Sequence, residues 1–448
     1  MKVFQFVPIL ALVTLLWLPF SQPASATEAC PGATLSPNVP HEVTLQTPGD
    51  PTQKDFDCFS WQSLVGLSWA AEEGVNGVPD ESIPFGQTGD RDLVVWQTYK
   101  GWESVFPQND NPQPCEAGQS TEACWNSPLA EGENLYMTSK SGGFLDGQEQ
   151  AVPNAWLTDQ NGKLTRYEIL VNQDEFDFII DNKLYNGQIQ KSYSKNIDMP
   201  PGENNGPVGP IELKAAWKII SDQEKDEYFS TLATIQDTKV NPENGYPQPN
   251  GGVYMTCTES DNGFCDRFVG LVGFHIAHKV KDFPQWIWST FEHKNNVPIQ
   301  KKGTPLDVNE TVTYSYFNKD CDNPVACQKN TNPRDIPIPV LTPNQVTRYL
   351  DPAYGGDNIL PKDVNEQWQG LVAGTVWKNY ELISTQWINS DGDPTPQILA
   401  NTTMETYIQG DHSGPEYASS CIKCHQYGAL LNGKKADFSY LFSRAKPN

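Results

Sequence analysis

Eight cysteines with no neighbouring histidine and no C-x2-C spacing constrain this chain most: Cys30, Cys58, Cys115, Cys124, Cys257, Cys265, Cys321 and Cys327. That pattern makes metal binding the weaker reading. The N-terminus explains them differently. Lys2 precedes an apolar run from Phe4 to Phe20, broken only by Gln5 and Thr14, and Ala24-Ser25-Ala26 follows. This is the pattern of a cleaved signal peptide over residues 1–26, with cleavage after Ala26. Export to the periplasm or outside the cell makes disulfides the default state of the thiols. Eight cysteines can pair in about a hundred ways. Local spacing suggests Cys115–Cys124, Cys257–Cys265 and Cys321–Cys327, each closing a short loop, which leaves Cys30 for Cys58. No later run approaches the roughly 18–20 apolar residues of a spanning helix, so no transmembrane anchor is expected once the leader is gone.

The 448 residues include 36 Pro and 34 Gly, which favours turns and loops over a helical bundle. Residues 155–158 and 163–171 flank Asn161-Gly162, a strong hairpin signal. Residues 268–280 and 286–293 read as a second strand pair around Asp282-Phe283-Pro284. Residues 376–388 alternate, with Trp377, Asn379, Glu381, Ile383, Thr385 and Trp387 on one face. Helices are expected over 56–71 and over 174–185, the latter stopping at Asn186-Gly187. Residues 211–220 fit a helix and a strand equally well. Segments 106–130, 196–210, 240–252 and 320–345 read as long loops. The expected fold class is α+β, β-rich. One large elaborated domain would span 27–395 with disulfide-stapled loops, and a segment over 396–448 would pack against it.

The formal net charge is −24, and losing Lys2 with the leader makes it −25. Such an acid excess excludes nucleic acid as a partner, because phosphate binding needs a basic surface. It favours a basic redox partner protein, or a small-molecule electron donor or acceptor, once a redox group is present.

That group is indicated by Cys421-Ile422-Lys423-Cys424-His425, which is C-x-x-C-H. Two thiols three residues apart reach the two vinyl groups on one edge of a porphyrin, and the adjacent imidazole lies under the iron. One covalent haem c is therefore expected, with Cys421 and Cys424 as attachment points and His425 as proximal iron ligand. A redox dithiol would want a βαβ context and a zinc site a second ligand pair, and neither is visible. No Met follows Met404, so a sixth ligand must come from upstream. The candidates for sixth ligand or distal residue are His275, His278, His293, Met404 and His412. In a strand, His275 shares a face with Gly273 and Ala277, and His278 shares one with Val272, Phe274, Ile276 and Val280. Glu212, Lys214, Arg166 and Glu168 read as exposed charges, and Trp61, Trp69, Trp96 and Trp102 as core. No catalytic set of another kind is legible. Asn309-Glu310-Thr311 and Asn401-Thr402-Thr403 match the glycosylation pattern.

Residues 286–293, 401–406, 420–425 and 437–442 together resemble a group of bacterial exported cytochrome c family proteins with one C-terminal haem motif. The resemblance implies a periplasmic haem c protein with His425 as proximal ligand, and it implies no particular reaction. The leading functional expectation is one-electron transfer. A haem enzyme, peroxidase-like or oxygen-activating, on a small organic substrate is the alternative, since a carrier needs far less chain. A haem-based gas or ligand sensor is the third.

Overall fold

In the computed structural model, the chain is described at residues 28–88, 93–108, 113–127, 133–135, 155–246, 251–260, 262–354, 360–412 and 414–446. The expected signal peptide lies outside the described residues. The strands are β1 (Lys100–Gly101), β2 (Glu133–Leu135), β3 (Arg166–Val171), β4 (Ile211–Ile219), β5 (Ser230–Gln236), β6 (Lys239–Val240), β7 (Val253–Tyr254), β8 (Phe264–His278), β9 (Ile287–His293), β10 (Ile299–Lys301), β11 (Arg348–Leu350), β12 (Tyr380–Ile388) and β13 (Pro394–Thr395). The helices are α1 (Gln53–Leu67), α2 (Trp102–Val105), α3 (Thr121–Trp125), α4 (Gln173–Asp181), α5 (Gly187–Ser192), α6 (Lys362–Leu371) and α7 (Cys421–His425). The chain is thus α+β and β-rich, as its turn-laden composition implies.

One sheet organises it. Its order is β1-β3-β4-β8-β9-β12-β13, with β5 also on β8 and β2 on β5. The central strands β3, β4 and β9 and residues 269–278 of β8 are buried on both faces, so their side chains need not alternate between apolar and polar. This is why 211–220 fitted two periodicities: β4 carries Leu213, Ala215 and Trp217 on one face and Ala216 on the other, all buried.

On one face, α1 packs through Trp61 and Leu64. Ser60 Oγ lies 2.6 Å from both Ser289 Oγ and Thr385 Oγ1, which clips the helix to β9 and β12. Beside it, Asn365 of α6 accepts from Trp61 Nε1 at 2.8 Å and donates to Leu382 O at 2.9 Å. Trp61, Trp69, Trp96 and Trp102 are core residues, as expected. The opposite face carries a smaller cluster around Tyr167, Val272, Tyr316 and Met404. The C-terminal segment buries Ile422, Leu430, Leu441 and Phe442 in the same core as Trp61, so it is continuous with the sheet rather than separate.

Three local expectations are corrected. The 174–185 helix ends at Asp181, where Lys183 takes the left-handed position (φ 55°) and Leu184 N reaches back to Ile179 O. Asn186 instead caps α5, its side chain accepting from the Gln188 and Ile189 amides. Strand β12 has a bulge between Leu382 and Ser384, so the alternation read over 376–388 does not stay on one face. Thr385 and Trp387 meet α1, whereas Ile383 packs with Leu350 and Leu399. A bulge opposite Ala216/Trp217 likewise moves Val272 off the face of Phe274 and Ile276.

The four cysteine pairs form as local spacing suggested: Cys30–Cys58, Cys115–Cys124, Cys257–Cys265 and Cys321–Cys327. Four disulfides fit an oxidising compartment. Among the described residues, no helix is long and apolar enough to cross a membrane.

Candidate functional site

Helix α7 is the C-x-x-C-H segment itself. Its first turn is tied to the sheet by Gln386 of β12, whose Oε1 accepts from Ile422 N at 3.0 Å and Ser420 Oγ at 3.2 Å. Ile422 anchors the inner side in the core. Cys421 and Cys424 stand one turn apart and, with His425, border one cavity. Neither is in a disulfide, although all eight other cysteines are.

The imidazole of His425 sits between Trp288 and Tyr440, with ring centroids 4.3 and 5.1 Å away. Its Nδ1 lies 2.8 Å from Phe438 O. A carbonyl only accepts, so Nδ1 carries the proton and Nε2 the lone pair. The backbone that offers this carbonyl is unusual. Asp437 and Phe438 both have left-handed φ, 52° and 66°. For a bulky residue this costs roughly 1–2 kcal/mol and needs outside support. Asp437 supplies it: its carboxylate accepts from Lys279 Nζ at 2.7 Å and Met199 N at 2.8 Å. Lys279 follows β8 directly and also meets Asp198 at 2.7 Å. Burial pushes the Asp437 carboxyl above its usual pKa, and Lys279 pulls it back.

The cavity opens to solvent and, with its mouth, encloses about 820 Å³. Its floor is the sheet: Ile169 of β3, Glu212 and Lys214 of β4, His275 and Ala277 of β8, and Trp288 of β9. Register explains the grouping. Ile169, Lys214 and His275 are cross-strand neighbours, as are Glu212, Ala277 and Trp288. The C-terminal segment closes it with Glu405, Ile408, Cys421, Cys424, Tyr440, Leu441 and Arg444. His275 Nε2 and Glu405 Oε2 are 3.4 Å apart, and Glu405 also accepts from Asn401 N at 3.0 Å. Behind Glu212, the carboxyl of Glu175 is wholly buried. Burial first, then the Glu212 carboxyl, raises its pKa well above the usual range, so this pair holds a proton.

These residues fit a covalent haem. Two thiols lie on one helical turn beside an imidazole of fixed tautomer. Apolar side chains line the walls, and Lys214 and Arg444 in the same lining are cations that would suit a porphyrin's carboxylates. No protein-family model matches the chain, and no curated protein or solved structure matches it. Residues 286–293, 401–406, 420–425 and 437–442 converge here, giving Trp288, Glu405, the α7 cysteines with His425, and Tyr440 with Leu441.

Among the candidates for a sixth ligand or distal group, His275 lines the cavity and the others do not. His278 is buried on the α1 face, 2.8 Å from Val208 O, and burial lowers its pKa to about 4. His293 uses both ring nitrogens, Nε2 to Glu227 O at 3.1 Å and Nδ1 from Asn295 N at 3.2 Å. Met404 is buried in the Tyr167 cluster. His412 lies at the surface, 2.8 Å from Lys329 O. Glu212, Lys214, Arg166 and Glu168 are not exposed charges as read from sequence. Glu212 is partly buried and the other three fully. Asn401 of the second glycosylation pattern is fully buried, while Asn309 is exposed. Sequence reasoning missed Lys279, Gln386 and the Asp437–Phe438 turn. The Asp-Phe pair lay inside a resembling block, but nothing in the sequence tied it to His425.

Proposed function

We propose that this is an exported mono-haem c-type redox protein that exchanges single electrons in the periplasm or outside the cell. Cys421 and Cys424 form the thioethers and His425 Nε2 ligates the iron. Bound haem would supply a one-electron iron couple. The chain supplies orientation through Phe438 O, an apolar wall, and cations for the haem carboxylates. The observation that carries the reading is His425 itself: Nδ1 donates to a backbone carbonyl, beside two thiols that escape disulfide pairing. This is the arrangement of a ligating histidine whose second nitrogen is fixed by an outer partner.

A second reading, a haem enzyme, is favoured by one observation. The cavity holds more titratable groups than an electron carrier needs: His275 with Glu405, and Glu212 backed by Glu175. His275 serves as sixth ligand in the first reading and as acid–base in the second. Ferric and ferrous spectra of the exported protein, with and without carbon monoxide or peroxide, separate them. Low-spin iron indifferent to both supports the carrier. Rapid carbon monoxide binding without turnover of peroxide supports a sensor, and turnover supports the enzyme. A Cys421→Ser, Cys424→Ser double variant should export without covalent haem. Absence of a haem c spectrum, despite working attachment machinery, overturns the proposal.

A further inference from the structure

The charge of this protein is not evenly spread. Against a net −24, residues 421–448 carry five basic side chains and one acid, Asp437. Asp437 is bound to Lys279. The basic groups are Lys423, Lys434, Lys435, Arg444 and Lys446, and the first three are exposed. Lys423 lies between the two motif cysteines. Lys434 and Lys435 end a tight turn that leaves α7 and returns, with Leu430 N to Lys434 O at 2.8 Å and Ala436 N to Gly428 O at 2.9 Å. The same turn docks on residues 193–197 through Asn432 Nδ2 to Tyr193 O at 2.7 Å and Lys435 N to Asn196 Oδ1 at 3.1 Å. That neighbour adds two more exposed lysines, Lys191 and Lys195. Acids also lie near this end. Asp198 is on Lys279, and Glu416 is exposed before the motif.

Within this basic end, Cys424 is exposed and Tyr427 is 72% exposed. The large hydrophobic side chains exposed between 414 and 446 are all tyrosines, Tyr417, Tyr427 and Tyr440. Tyrosines suit a protein interface, and a lipid anchor would instead show aliphatic or Trp and Phe side chains for insertion.

We infer that the surface around Cys424, Lys423, Lys434 and Lys435 is the docking face for an acidic redox protein, opposite in sign to what the net charge implies. This rests on the haem reading for its purpose, since the exposed edge of the motif is where an electron would leave. It does not rest on haem for its existence. Long-range repulsion from the acidic remainder would orient the molecule so that this end meets the partner first.

The test uses the exported full-length protein and two small oxidants. The reduced protein gives one electron to ferricyanide, forming ferrocyanide, or to tris(phenanthroline)cobalt(III), forming the cobalt(II) complex. A rate governed by net charge rises with salt for ferricyanide and falls for the cobalt complex. A rate governed by the basic face does the opposite. Between ~10 mM and ~300 mM salt the ferricyanide rate should fall on the order of tenfold. Lys434→Glu with Lys435→Glu, outside the attachment motif, should abolish that fall while leaving the haem spectrum unchanged. Carbodiimide coupling of a deca-glutamate peptide, mapped by mass spectrometry, reads the same face without haem. Adducts should concentrate on Lys191, Lys195, Lys423, Lys434 and Lys435. A ferricyanide rate that rises with salt, or adducts scattered over the surface, overturns the inference. Capture by phosphatidylglycerol vesicles through the same lysines, without peptide adducts, overturns it in favour of a membrane. Adducts on this face in a protein that takes up no haem would uphold the face and defeat the haem reading.

Discussion

At the scale of single residues, the orientation of His425 depends on a side chain far away in sequence. Lys279 is almost fully buried and neutralises Asp437, whose strained backbone carries Phe438 O to the imidazole. Removing one partner of a buried pair leaves an uncompensated charge and costs about 3–5 kcal/mol. Lys279→Met should therefore lower stability by roughly that amount in denaturant titrations. Asp437→Asn is gentler, because Lys279 keeps Asp198 as its counter-charge and an amide oxygen can still accept from Met199 N. In haem-loaded protein it should loosen the Phe438 turn, weaken the Nδ1 hydrogen bond, and make the imidazole a poorer donor to ferric iron. The reduction potential should then rise, with attachment intact. An unchanged potential in Asp437→Asn, together with wild-type stability in Lys279→Met, would show that the Asp437–Phe438 turn does not orient the ligand.

At the scale of elements, β8 brings the two halves of the site together. Its His275 and Ala277 form cavity floor, its end leads into Lys279, and Gly273 lies directly under the 401–406 turn. A Cβ on Gly273 would come 2.2 Å from Thr403 Oγ1 and 2.8 Å from Asn401 Oδ1. Gly273→Ala should cost about 1–3 kcal/mol in thermal melts and displace Glu405 from His275, since that turn holds both Asn401 and Glu405. A variant as stable as the parent would mean that the turn yields freely. The same strand shows what could be read in advance. The 268–280 and 286–293 pairing followed from the turn residues Asp282-Phe283-Pro284 between them, and the shared side of His275, Gly273 and Ala277 from alternation. The place of Val272 did not, because a bulge changes the count without a sequence mark. Nor did the burial of Lys214 and Glu168. A charged residue reads as exposed unless its partners are known, and here they come from other strands and the C-terminal segment. Cys421, Cys424 and His425 could be read as one group because they are neighbours in sequence, and the structure sets all three on α7 at the cavity. Lys279 was not, because its role exists only through contacts 158 residues apart.

At the scale of the whole molecule, buried titratable groups of two kinds set the response to pH. His278 and His293 are held neutral by burial, with pKa values lowered to about 4 and about 3. Between those values and the unfolded pKa near 6.5, the unfolded chain binds protons that the fold refuses, so stability falls as pH falls. Asp57, Asp159 and Glu175 act oppositely. Burial raises Asp57 to about 7 and Asp159 to about 6, and lifts Glu175 well above its usual range. Above about pH 4 the unfolded chain releases protons that these groups keep, so stability falls as pH rises. From pH 4 to 6.5 these acids, joined by Glu103 and Glu381 whose carboxyls burial also raises, outnumber the two histidines, and above 6.5 the histidines drop out. Salt-bridged carboxyls with lowered pKa at the surface, such as Asp363, add little. Self-repulsion points the same way, since the chain is neutral near pH 4.6 and strongly negative at 7. Maximum stability is therefore expected near pH 4–5, below the common range of about 5–8. Urea midpoints measured from pH 3 to 8 should peak there and decline toward neutrality. Asp57→Asn should flatten the decline between about pH 4 and 7 by up to about 1.4 kcal/mol per pH unit, the slope of one proton. A midpoint that climbs steadily to pH 7 would mean that the buried carboxyls are ionised in the fold, and Asp57→Asn would then leave the profile unchanged.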